Sequence, residues 1–185
     1  MTTTGEYAPR ARRRAICVTA IFSLWTALVA VVNPPSWRVA WPLVVFHFFM
    51  LLNTFFSIRA FATLIPTSAG QAAFDIALAA CLVIAPLAFN HPVHFAFLVL
   101  LLFILATYKY ILAIRLVGFS EMLYRKIVVD MLGVVSTFAT VVGMWLGFVL
   151  PAAILGVVAF AAANVYVLWL KPLYRLDPVQ VESRQ

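Results

Sequence analysis

Long apolar runs, broken by short polar or proline-bearing stretches, follow one another along almost the whole chain. A bilayer hydrocarbon core is crossed by about 20 helical residues. Six runs meet that length: Ala15 to Val32, Val39 to Ile58, Gln71 to Phe89, Val93 to Leu116, Ile127 to Val149 and Ala152 to Leu170. They predict an all-α, polytopic membrane protein whose six transmembrane helices form three antiparallel hairpins. The least marked boundary is at Pro151, where Val149, Leu150 and Pro151 leave almost no loop and one long bent helix is the alternative. A turn is favoured because the combined run is too long for one crossing and the proline removes a backbone donor.

Composition agrees with the pattern. Of 185 residues, 65% are hydrophobic and 10% charged, and mean hydropathy is +1.06, more apolar surface than a soluble domain of this size can bury. An aqueous enzyme, a disordered tail and a nucleic-acid-binding module are excluded on that ground. The basic start followed by an apolar run has the outline of a signal peptide. No small-x-small cleavage site precedes a soluble domain, and the run is long enough to span, so it reads as a retained first helix. The organisation expected is a basic segment 1–14, a membrane domain 15–170 and a tail 171–185.

The net charge of +7 then becomes a topological signal. With six spans, Arg10, Arg12, Arg13, Arg14, Arg59, Arg115, Arg125, Lys126, Lys171, Arg175 and Arg184 fall at one face and Arg38 alone at the other. Lys and Arg resist translocation, so both termini are expected in the cytoplasm. The outer turns, Asn33-Pro34-Pro35, Asn90-His91-Pro92 and Leu150-Pro151, are short. Of the inner ones, Pro66 to Gln71 carries Ser68 and Gln71 at capping-box spacing, and Gly118 to Lys126 suits a short interfacial helical turn.

Hairpin length repeats. Arg59, Arg115 and Lys171 recur at 56-residue intervals, as do Asn53, Lys109 and Val165, with Asn164 beside the last. Thr19, Asp75 and Asp130 fall early in the first, third and fifth spans. Duplication would produce this pattern, but six evenly sized spans with short loops would produce it too.

Three ionisable groups fall inside the predicted spans, where each costs a few kcal/mol or more unless paired or hydrated. Asp75 and Asp130 lie one turn beyond Gln71 and Lys126, and Lys109 is about 9 Å deeper than Arg115 at 1.5 Å per residue, which puts all three at similar depth. Such a cluster serves as a binding or coupling site, as a structural lock among spans three to five, or lets Lys109 snorkel to the headgroups. In the fifth span Asp130, Gly133, Thr137, Thr140, Met144 and Gly147 share one face. Small residues also stripe spans one and six; such stripes serve close helix packing, and the functional alternative is a polar path. The candidate binding residues are therefore Asp75, Lys109, Asp130, Asn53, Thr137 and Thr140.

Neither a metal nor a cofactor is expected. Cys17 and Cys81 sit in apolar runs without a partner pattern, and His47 has no second mid-span histidine for a bis-histidine site. Phe46, His47, Phe48, Phe49, Phe55 and Phe56 point all around the second span, suggesting partial lipid exposure, and Trp37, Trp41, Trp145 and Trp169 fall near the interfaces.

Three functional classes remain. Transport of a small solute, ion or proton along a polar path bordered by helices three to five is preferred, because paired intramembrane charges have no evident use in a passive scaffold. The alternative is a non-catalytic subunit or assembly factor of a larger membrane complex. A lipid-modifying enzyme is the third, and no spacing motif for phosphotransfer, proteolysis or redox catalysis supports it. The low count of seven glycines argues against the broken helices of elaborate carriers. Two basic residues six apart in span four make no gating ladder. The expected surroundings are a bilayer, taken as a bacterial inner membrane, and further copies of the chain or a larger complex, with no nucleic acid.

Overall fold

The structure, a computed structural model, describes residues 4–62, 64–66 and 68–170, excluding the side chains of residues 4–8 and of Trp169. The tail 171–185, with Lys171, Arg175 and Arg184, lies outside the described residues, as does the anchoring role expected of the Trp169 ring. Six helices follow: α1 (Thr4–Val32), α2 (Trp37–Phe61), α3 (Ala69–Ile84, continued by a 3-10 turn Ala85–Ala88), α4 (Pro92–Val117), α5 (Glu121–Trp145) and α6 (Val149–Val165, continued by a π-helical turn Tyr166–Leu170). All six are long and apolar enough to cross a membrane. The chain is an all-helical, integral membrane protein.

Helix ends follow local chemistry. Ser68 caps α3, its Oγ accepting from Gln71 N at 3.2 Å. The reciprocal half of a capping box does not form, because the Gln71 amide donates instead to Lys109 O at 3.1 Å. Pro92 opens α4, where a missing N–H costs nothing, and Gly118 closes it at φ +83°.

Two expected boundaries move. The turn between the last helices lies at Leu146–Phe148 and not at Leu150-Pro151. Gly147, at φ +92°, sits at the left-handed position of a Schellman motif, with Phe148 N bonded to Gly143 O at 3.0 Å and Gly147 N to Met144 O at 3.1 Å. Gly147 is thus a turn residue and leaves the α5 face assigned to it. Pro151 falls in the first turn of α6, where its absent donor has no helical acceptor to lose. At the other end, α5 starts at Glu121, so the separate interfacial turn expected over Gly118 to Lys126 is mostly the first part of α5 itself.

Each helix packs on its chain neighbour in the pairs α1 with α2, α3 with α4 and α5 with α6, and the pairs meet most extensively through α4 on α5 and through α2 on α6. Phe46 stacks on Phe160 at 4.5 Å between ring centres and meets Phe95 edge-on at 6.2 Å. His47 is buried with it, while Phe48 is exposed, so the aromatic run of α2 is divided between core and surface. Exposed Trp37, Trp41 and Trp145 lie near helix ends. Apolar exposure on α1, with Leu24 and Val31 facing outward, is the surface expected of a lipid-bathed helix. At the proline-rich end, Asn90 joins two loops: its Oδ1 accepts from Ser36 N at 2.9 Å and its Nδ2 donates to Asn33 Oδ1 at 3.3 Å.

Candidate functional site

At the opposite, basic end the helices part. Among the described residues α2 and α3 make no close approach, and α1 touches α3 only slightly. The gap is a cavity of about 530 Å3 bounded by α1 to α5 and the α2–α3 connection, within the range of small-molecule sites. Its apolar part is formed by Phe22, Leu78, Leu82, Leu102 and Phe103, and its charged part by Arg14, Asp75, Lys109, Lys126 and Asp130.

Four of these five charges come in two pairs. Lys109 Nζ, on α4, lies 2.6 Å from Asp75 Oδ1, on α3. This pair is partly open, the Asp75 side chain being 47% exposed and that of Lys109 17%. Lys126 Nζ lies 2.5 Å from Asp130 Oδ1, one turn along α5, and this pair is buried, at 2% and 1% exposure. Tyr110 presents its ring to both ammonium groups, 5.8 Å from Lys109 Nζ and 5.5 Å from Lys126 Nζ. Four charges of balanced sign, one shared aromatic face and an adjoining cavity form a single polar unit.

The sequence-predicted residues divide. Asp75, Lys109, Asp130 and Asn53 all line the cavity, and the expected depth match of the three charges puts them in one site. Thr137 and Thr140 do not line it. They border a void of about 20 Å3 near Met144, Ala153 and Gly156, scarcely more than the room one water needs. Thr140 Oγ1 donates to Ser136 O at 3.0 Å and packs where a side chain on Gly156 would stand. That part of the α5 face serves helix packing, so the continuous polar path drawn along it stops near Asp130. The hairpin rhythm is carried into the site only in part: Asn164 donates to Phe160 O of its own helix at 2.8 Å, and neither it nor Thr19 lines the cavity.

Sequence reasoning missed Lys126, taken for a face-marking charge, and Gln71, taken for a capping residue alone. The signal for Lys126 was its spacing of four from Asp130, which stacks the two on one helix face. Gln71 lines the cavity, is 3% exposed, and leaves its Oε1 without a hydrogen-bond partner. Asp130 Oδ2 is in the same condition. Elsewhere, His47 Nε2 lies 3.0 Å from Thr26 Oγ1, whose own proton goes to Phe22 O at 2.8 Å, so the imidazole is the donor in that contact. Among the described residues no three His, Cys, Asp or Glu side chains converge as a metal site would require. Comparison with known proteins finds no family model, no curated protein and no solved structure that matches this chain.

Proposed function

We propose that the protein carries a small solute, ion or proton across a bacterial inner membrane, using the charged cavity among α1 to α5 as its binding site. In this reading both termini are cytoplasmic, the helices act as three antiparallel hairpins, and the cavity opens toward the basic, cytoplasmic end. The observation that carries the proposal is the cavity of about 530 Å3 lined by two ion pairs. Purely structural ion pairs are ordinarily closed over by neighbouring side chains, because burial without hydration or packing leaves their remaining bonding capacity unmet. Here the Asp75–Lys109 pair is partly open and borders space large enough for a ligand. The partly exposed Asp75–Lys109 pair is the one a solute meets first, and the buried Lys126–Asp130 pair lies behind it.

Flux through reconstituted vesicles tests the proposal. Wild-type protein is expected to conduct a proton, ion or small-solute current, and Asp75→Asn, Lys109→Gln and the paired Lys126→Gln/Asp130→Asn are each expected to abolish it while remaining inserted and helical. The paired change is used so that neither buried charge is stranded. Unchanged flux in all three variants, or none from the wild type, would overturn transport. Purification in mild detergent with a stoichiometric membrane partner would then favour the subunit reading.

A further inference from the structure

The wall of the large cavity carries three basic and two acidic side chains, a net charge of +1. Lys109 with Asp75 and Lys126 with Asp130 account for four of them. The uncompensated charge is Arg14, exposed at the start of the first apolar run and without an ion-pair partner among the described residues. Arg14, Val18 and Phe22 all line the cavity and follow one another at steps of four, so one face of α1 leads from the guanidinium past an aliphatic side chain to an aromatic ring. At 1.5 Å per residue that face is about 12 Å long. Leu78, Leu82, Leu102 and Phe103 continue the apolar wall. The cavity also has an apolar rim: among the described residues α2 and α3 make no close approach, and Ile76 of α3 both lines the space and is 71% exposed. In a bilayer such a rim borders acyl chains, and a basic group at a helix end borders acidic headgroups.

We infer that the cavity takes an anionic amphiphile, a carboxylate or phosphate head on a hydrocarbon chain, with the head on Arg14 and the chain running along Val18 and Phe22 into the apolar part. The inference rests on the reading of this cavity as a binding site and names the chemical class of its ligand. The guanidinium is a planar fork of N–H donors that a carboxylate or phosphate meets with two bonds. The other four charges sum to zero, which leaves the sign of the ligand to Arg14. A free amphiphile gains affinity in proportion to the apolar area its chain withdraws from water. A lipid of the surrounding leaflet, whose chains are already out of water, is held mainly through its head.

Isothermal titration of the full chain in phosphatidylcholine nanodiscs, with empty nanodiscs subtracted, compares decanoate, decanol and decyltrimethylammonium. Decanoate is expected to bind saturably and about tenfold more tightly than either of the others. Arg14→Gln is expected to weaken it about tenfold, and Arg13→Gln, at the neighbouring exposed residue outside the cavity wall, at most about twofold. Ala79→Phe, which fills the cavity, is expected to remove binding. Circular dichroism checks that all three variants keep wild-type helicity. Native mass spectrometry of protein released from mixed phosphatidylcholine and phosphatidylglycerol nanodiscs distinguishes the source. Phosphatidylglycerol retained by the wild type and lost from Arg14→Gln identifies a leaflet lipid, and decanoate binding without such retention identifies a free amphiphile. Preference for the quaternary ion, equal affinity for decanol, equal losses in Arg13→Gln and Arg14→Gln, or neither decanoate nor phosphatidylglycerol bound would each overturn the inference. Binding is read apart from flux. Binding of either anion without flux keeps this inference and removes transport, whereas flux of another solute with neither anion bound does the reverse.

Discussion

The pair formed by Lys126 and Asp130 is the most consequential feature at the scale of single residues. Each is at most 2% exposed, they belong to one helix, and the Tyr110 ring lies 5.5 Å from the ammonium. Neither charge is tolerable there alone, because the cost of desolvating the survivor would no longer be offset by its partner. Lys126→Met is therefore expected to destabilise the protein by about 3–5 kcal/mol, whereas Lys126→Met/Asp130→Leu costs much less or nothing. Unfolding of detergent-solubilised protein by increasing dodecyl sulfate, followed by circular dichroism, measures both; equal losses in the two would refute the coupling. The sequence showed Asp75, Lys109 and Asp130 as charges needing an explanation because each falls well within an apolar run. It concealed Lys126 for a definite reason. With a span starting at Ile127, Lys126 stood at the surface, but α5 begins at Glu121 and so carries Lys126 more than a turn into the helix.

At the scale of elements, small residues determine how closely α4, α5 and α6 approach. A methyl group placed on Gly133 would stand 2.6 Å from two atoms of the Phe103 ring, and one on Gly156 would stand 2.9 Å from Thr140 Oγ1. Helices in lipid gain no hydrophobic drive from meeting each other, so close van der Waals packing across such positions carries much of their association. Gly133→Ala is expected to cost about 1–3 kcal/mol by overpacking against the buried Phe103 ring, read in the same unfolding assay, and Gly133→Ala/Phe103→Leu should recover part of it. No recovery would mean that the ring is not the obstacle. The stripes of small residues were legible as packing surfaces from their three-and-four spacing. Which helix each stripe meets was not, since periodicity defines a face and says nothing of its partner. Turn chemistry was legible in kind but misplaced: Pro151 drew the turn toward itself, although the residue able to adopt the left-handed conformation was Gly147.

For the whole molecule, the distribution of charge and of space is polarised in the same direction. The large cavity is bordered by Arg14 and the α2–α3 connection at the basic end, while aromatic packing and the contacts of Asn33, Ser36 and Asn90 lie toward the other end. With the orientation proposed above, the cavity end faces the cytoplasm. In a Cys17→Ala/Cys81→Ala background, a membrane-impermeant maleimide should label Ser36→Cys, not Phe119→Cys, in intact cells, and should reverse that preference in inside-out vesicles. Labelling of Phe119→Cys from outside would invert the topology and with it the direction from which a solute enters.

The sequence by itself determined the membrane setting, the number of helices and the presence of charges too deep to be topological, because apolar length and charge placement are read one residue at a time against the thickness of the bilayer. Only the tertiary structure decided that those charges divide into two pairs, that Gln71 and Lys126 belong with them, and that Thr137 and Thr140 do not. Pairing depends on the rotation of each helix about its axis and on which neighbour it meets. Those quantities are set by packing between segments distant in the chain, here by α4 lying against α5 while α2 and α3 stay apart.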